Sequence, residues 1–155
     1  MPSLINSADT EAVLRALLTN EGFNLTNVRM NGETGVDILA TRGDETIHIE
    51  VIAFKSSGPA RSRDFFQAFF RAVSRIEDGA TRCVIALPSR WENGLPVRAK
   101  QYGTAWTRIG NAFPELEIWC VQCKSPNYTV TKWNDWLSNK ALQTDAVPPP
   151  TCFRL

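Results

Sequence analysis

Several things are scarce in this 155-residue chain, and each scarcity excludes a class of protein. No apolar run approaches the roughly 20 residues of a membrane span, and Met1 to Thr10 lacks the basic start and apolar stretch of a signal peptide, so a cytoplasmic protein is expected. Four cysteines do not make a disulfide framework, and the single C-x-x-C, Cys120 with Cys123, has no second pair at zinc spacing. There is one histidine, His48, which rules out a histidine-rich metal site. Charge of one sign is also missing, with 17 basic and 16 acidic side chains. What is present is ordinary core material: 43% hydrophobic residues and 15 aromatics. A chain this long buries about two thirds of its unfolded surface and folds without disulfide or metal.

The charge balance conceals an asymmetry. Residues 1–50 carry three basic and eight acidic groups, a net −5, whereas residues 51–110 carry ten basic and four acidic ones, a net +6. An acidic block beside a basic block suits a protein that holds a cation against a phosphate, although unrelated folds also produce such splits.

Hydrophobic periodicity predicts a first helix from Ser7 or Asp9 to about Asn20, stopped at Gly22. An antiparallel meander is expected near 24–30, 35–41 and 46–54, turning at Asn31-Gly32 and Arg42-Gly43-Asp44. A second helix is expected from Arg63 to Asp78, capped by Ser62. Its apolar residues spread over about 200°, which predicts that part of this phenylalanine-rich face meets a partner subunit, giving a homodimer, or the first helix. A buried strand over 82–87, a helix over 96–111 and a strand over 115–122 complete the order αβββαβαβ. The expected fold class is α/β, with a mixed sheet of about five strands flanked by helices. Tyr128 to Thr131 reads as an edge strand, and Trp133, Trp136 and Leu137 as a short docking face. The domain is expected to end near 137, with 138–155 a proline-containing disordered tail.

The chemistry-bearing stretch is G35-V-D-I-L-A40 followed by T46-I-H-I-E-V-I-A-F-K55. A hairpin over these residues brings Asp37 and Glu50 together across the ladder. Two such carboxylates suit a hard divalent cation such as Mg²⁺, which takes oxygen ligands and retains waters. A carboxylate in the middle of I-H-I-E-V-I-A-F is costly unless it is paired or metal-bound, so an arginine partner for Glu50 is the competing reading.

These residues resemble the PD-(D/E)xK, or restriction-endonuclease-like, nuclease superfamily, over roughly residues 10–123. The resemblance implies a Mg²⁺-dependent DNA endonuclease with Asp37 and Glu50 as metal ligands and Glu11 on the first helix as a further acidic ligand. Gln67 and Arg71, on the polar side of the helix after the motif, resemble that family's glutamine-bearing helix. The run E50-V-I-A-F-K-S-S with D64-F-F-Q-A-F-F-R71 looks like nuclease-like proteins tied to mobile-element excision, and S-N-K-A-L-Q resembles read-through ends of integron gene-cassette products. The sequence departs from the pattern at Ile52, where the family carries lysine. Lys55 would point to the opposite face by strict alternation, unless a bulge or an early strand end returns it. Lys55, Arg61, Arg63 and Arg71 are the candidate phosphate contacts. The alternative is a nuclease fold without catalysis, binding nucleic acid or a protein.

The remaining candidates have plainer readings. His48 shares a strand face with Glu50 and can carry a proton, or is an ordinary hydrogen-bonded residue. The five tryptophans with Arg90, Arg98, Lys100 and Arg108 form either a base-stacking surface or a packed core.

Overall fold

The computed structural model describes residues 6–27 and 36–138. The Asn31-Gly32 turn and the tail beyond 138 lie outside the described residues.

Helix α1 (Ser7–Asn20) is capped by Asn6, whose side chain accepts from the Asp9 N–H at 2.7 Å, one position before the expected Ser7. Gly22, at φ +92°, reverses the chain after it. Strands β1 (Asn24–Leu25), β2 (Ile38–Arg42) and β3 (Glu45–Val51) form the expected antiparallel meander. Gly43 turns the β2–β3 hairpin at φ +58°.

Helix α2 (Gly58–Ser74) starts five residues before the sequence reading placed it. Ser57, not Ser62, is the cap, accepting from Ala60 N–H at 3.2 Å. The proline at 59 occupies the first turn, where a missing N–H costs nothing. A 3₁₀ turn over Arg75–Asp78 leads into β4 (Arg82–Pro88), and another over Ser89–Asn93 follows it. The single helix expected over 96–111 is two, α3 (Leu95–Tyr102) and α4 (Thr104–Ala112), broken at Gly103 with φ +48° and ψ −112°. Strands β5 (Leu116–Gln122) and β6 (Asn127–Lys132) and the short α5 (Asp135–Ser138) close the described chain.

The protein is α/β, with a mixed sheet of six strands in the order β1-β2-β3-β4-β5-β6, the sixth being the edge strand expected near Tyr128 to Thr131. The β3–β4 and β4–β5 pairs are parallel and the others antiparallel. The two parallel pairs require crossovers, which α2 and then α3 with α4 supply. Alternation along β3 sends Ile47, Ile49 and Val51 toward α1, where Leu14 and Leu18 meet them. His48 and Glu50 consequently point to the opposite face, toward α2. That second layer is aromatic. Phe65 stacks on Trp106 and Trp133, whose rings lie 4.0 Å apart. Each of those two indoles donates to the other's carbonyl at 2.9 Å.

This layer changes two expectations. All five tryptophans are buried, so they form core and no stacking surface. Of the helix phenylalanines, Phe65 is internal, Phe66 packs on Tyr102, and Phe69 packs on Phe113 and Trp133. Phe70 alone is left outside, 70% exposed. The broad apolar arc therefore meets the chain's own α3 to α5 region. No helix among the described residues is long and apolar enough to cross a membrane.

Candidate functional site at the end of strand β3

The β2–β3 register pairs Ile38 with Ile49. One step further places Asp37 opposite Glu50, and residues opposed in an antiparallel pair share a face. The Asp37 carboxylate is anchored there, its Oδ2 accepting from the Val51 N–H at 2.8 Å. From the other side of the sheet Arg15 donates to the Asp37 carbonyl at 2.9 Å. Asp37 is thus fixed through both its backbone and its side chain.

Asp37 and Glu50 both line a cleft of about 160 Å³ between the end of β3 and α2. Helix α2 contributes Asp64, Gln67, Ala68 and Arg71, at the i, i+3, i+4, i+7 spacing of one helical face. Lys55 also lines the cleft. Strand β3 ends at Val51, so alternation no longer governs residue 55, and the Lys55 amine sits 2.9 Å from the Asp64 carboxylate. Ile52, at the position where the family carries lysine, puts an apolar side chain at the wall of the cleft and packs into the aromatic layer behind it.

Glu50 is only 2% exposed. Arg75, from the turn after α2, approaches it with Nε 3.7 Å from Oε2, longer than a hydrogen bond. The arginine partner envisaged for this carboxylate is therefore present, at ion-pair distance. Arg75 also pairs with Asp78 at 3.3 Å.

Other candidates fall elsewhere. Glu11 is outside the cleft and pairs with Arg15 at 2.7 Å, so it touches the site only through the arginine that holds the Asp37 carbonyl. Arg63 is exposed on α2 and does not line the cleft. Arg61 turns to the far side of the 52–57 loop, donating to the Lys55 and Ser56 carbonyls at 2.7 and 2.9 Å. His48 is buried, and its pKa is lowered chiefly by burial, with the Arg75 charge adding and the Asp78 charge opposing. It does not line the cleft. Cys120 is buried in the aromatic layer and Cys123 is half-buried near Thr10, so the C-x-x-C thiols diverge.

Sequence reasoning missed Asp64 and Arg75. The stripe Asp64, Gln67, Arg71 was available as a helical signal once Gln67 was singled out. Arg75 was not, because a 3₁₀ turn carries it back over the sheet.

Among the described residues no group of three or more His, Cys, Asp or Glu side chains is placed to hold a metal ion. Asp37 and Glu50 form a two-carboxylate donor set. That fits Mg²⁺, which binds through one or two carboxylates and keeps water in its remaining positions, and does not fit an all-protein cage. No protein-family model matches the chain, and neither does any curated protein or solved structure.

Proposed function

We propose that the chain is a PD-(D/E)xK-type hydrolase of DNA, with the cleft at the end of β3 as its active site. The observation that carries this reading is convergence: Asp37, just before β2, Glu50 of β3, Lys55 of the following loop and Gln67 of α2 all line one small cleft. The succession of α1, meander, α2, β4, a helical crossover and β5 also follows the αβββαβαβ order read from the sequence.

Mg²⁺, when bound, supplies a Lewis acid and an acidified water. Asp37 and Glu50 are the residues that hold it, with the hairpin pairing and the Val51 N–H fixing their positions. Lys55 presents its ammonium to the scissile phosphate and compensates the charge that develops there. Asp64 keeps that ammonium at the cleft until phosphate competes for it. Gln67 orients the nucleophilic water or a phosphate oxygen through its amide, and Arg71 contacts a neighbouring phosphate. Glu11 acts at one remove, by ordering Arg15 under Asp37. The reading carries with it a cytoplasmic setting and an association with mobile DNA.

A second reading keeps the fold and the DNA contact without catalysis. Buried Ile52 and the approach of Arg75 to Glu50 favour it. Self-association through α2 would rest on Phe70 alone.

Incubating the purified protein with supercoiled, branched and single-stranded DNA in Mg²⁺ or Mn²⁺ separates the two. The hydrolase reading expects cleavage that EDTA stops and that Asp37→Asn or Glu50→Gln abolishes while thermal unfolding stays cooperative. Salt-sensitive binding without cleavage establishes the second reading.

A further inference from the structure

The 52–61 segment has another concave side. Beyond Phe54 lies a pocket of about 470 Å³ lined by Arg61, Arg90 and Arg98 with Phe54, Trp91 and Val97. No carboxylate is among its described lining residues. Arg61 and Arg90 both lie over the Phe54 ring, at 4.7 and 5.3 Å from its centre, and Arg98 lies over Trp91 at 5.5 Å. Such contacts hold a guanidinium plane in place and leave its charge uncancelled.

Four arginines elsewhere pair with acids, Arg15 with Glu11, Arg42 with Glu45, Arg75 with Asp78 and Arg82 with Glu117. Those elsewhere without an ion pair among the described residues, Arg63, Arg71 and Arg108, are exposed to water, whereas the pocket arginines are half-buried. The three pocket arginines make no ion pair among the described residues. Arg61 donates only to carbonyls, Arg98 donates to the Ser62 hydroxyl at 2.7 Å, and the buried Nε of Arg90 makes no hydrogen bond. Burial pushes the Arg98 pKa down from its ordinary value, and the like charge of Arg61 adds to the effect. Three forked donors around one hollow match the oxygens of a phosphate group.

The pocket is also joined to the cleft. An intervening groove, lined by Ala53, Phe54, Lys55 and Ser56 among others, shares Lys55 with the cleft and Phe54 with the pocket. Arg61 holds the Lys55 carbonyl on one side while the Lys55 amine reaches Asp64 on the other.

We propose that Arg61, Arg90 and Arg98 form a second phosphate-binding site, which grips a nucleic-acid strand on the far side of Lys55 from the Asp37–Glu50 cleft. The pocket's preference for an anion stands on its own residues, and the choice of a nucleic-acid strand rests on the function proposed above. An internal diester and a terminal monoester share the required chemistry.

The test is fluorescence anisotropy of a short labelled single strand in EDTA, with and without a 5′-phosphate, across a salt series. Arg90→Gln is the decisive variant because Arg90 makes no side-chain hydrogen bond among the described residues. Arg98→Gln, which also frees Ser62, is read only if its thermal unfolding matches the native protein. Loss of one charged donor is expected to weaken binding about tenfold or more and to lower the salt slope by about one. Arg90→Lys should fall between the two. Equal losses for both oligonucleotides assign the site to an internal diester, and a 5′-phosphate preference that Arg90→Gln erases assigns it to a terminus. Unchanged affinity and slope in Arg90→Gln, or no binding by the native protein, overturns the proposal. Native-like binding by Arg90→Gln alongside hydrolysis that Asp37→Asn abolishes would refute the pocket alone. Arginine-dependent binding without hydrolysis would refute the hydrolase reading alone.

Discussion

Replacing Arg82 by methionine removes a guanidinium and keeps most of its stem. Arg82 holds the buried carboxylate of Glu117 through two hydrogen bonds of 2.8 Å, and Glu45 at 2.9 Å. The Glu117 side chain is 3% exposed and also accepts from the Trp119 indole at 2.9 Å, with Lys132 3.6 Å away. Breaking a buried pair by deleting one partner costs about 3–5 kcal/mol, because the remaining charge stays desolvated. Trp119 and Lys132 remain to soften that loss, so the lower end applies, about 3 kcal/mol. At this chain length each kcal/mol moves the melting midpoint by about 2–4 °C, so Arg82→Met should melt about 6–12 °C lower. The acid limb should change as well. Burial alone would raise the Glu117 pKa, but the Arg82 and Trp119 hydrogen bonds with the Arg82 and Lys132 charges outweigh it and hold the group below its ordinary value. A depressed carboxylate contributes stability that is complete above its unfolded pKa, about 4.3, and is lost as pH falls through the lower folded value. Melting curves of both proteins from neutral pH downward therefore test the idea twice. The native protein should lose stability steeply in acid, and Arg82→Met should show a flatter acid limb. Arg82 pairs with Ile47 at the opposite end of β3 from the cleft, so activity in the folded variant should be preserved. A midpoint within about 1 °C of native, where about 6–12 °C is expected, would refute the reasoning.

Other perturbations read other parts of the account. A Cβ on Gly110 would overlap the Asn134 side chain, which bonds Asn111, so Gly110→Ala should lower stability by about 1–2 kcal/mol in urea unfolding despite its better helix propensity. The buried Cys83 thiol, pushed up to about 11 by burial and the nearby Glu115 and Glu117, should resist an aromatic disulfide reagent at pH 8 in the folded protein and react on unfolding. Ile52→Lys puts the family's lysine at a buried position between the cleft and the aromatic layer. It should destabilise by about 2–4 kcal/mol without raising cleavage, because Lys55 already supplies the charge.

Much of this arrangement was legible in the sequence. The Asp37–Glu50 pair could be read because hairpin register is arithmetic once Gly43 fixes the turn. The Lys55 position stayed open between the opposite face and an early strand end, because alternation holds only while the strand lasts, and β3 does end early, at Val51. Helix α2 was read five residues short because glycine and proline at 58 and 59 look like breakers, whereas the first turn accepts both. Gly103 split a helix that periodicity made continuous. The apolar arc of α2 looked like an interface because the sequence does not reveal that Trp106 and Trp133 return to cover it. The arginine pocket was invisible for a similar reason: Arg61 and Arg98 are 37 positions apart and meet only through Phe54 and Trp91.

The central claim is that Asp37 and Glu50 together hold a divalent cation at the end of β3. Titration of the metal-free protein with Mn²⁺, following the free ion by electron paramagnetic resonance, tests it without requiring a substrate. The account predicts one Mn²⁺ bound per chain, displaced by excess Mg²⁺ and lost in both Asp37→Asn and Glu50→Gln while each variant still unfolds cooperatively. Absence of binding, or binding that survives both substitutions, would contradict it and leave the cleft a DNA contact without catalysis.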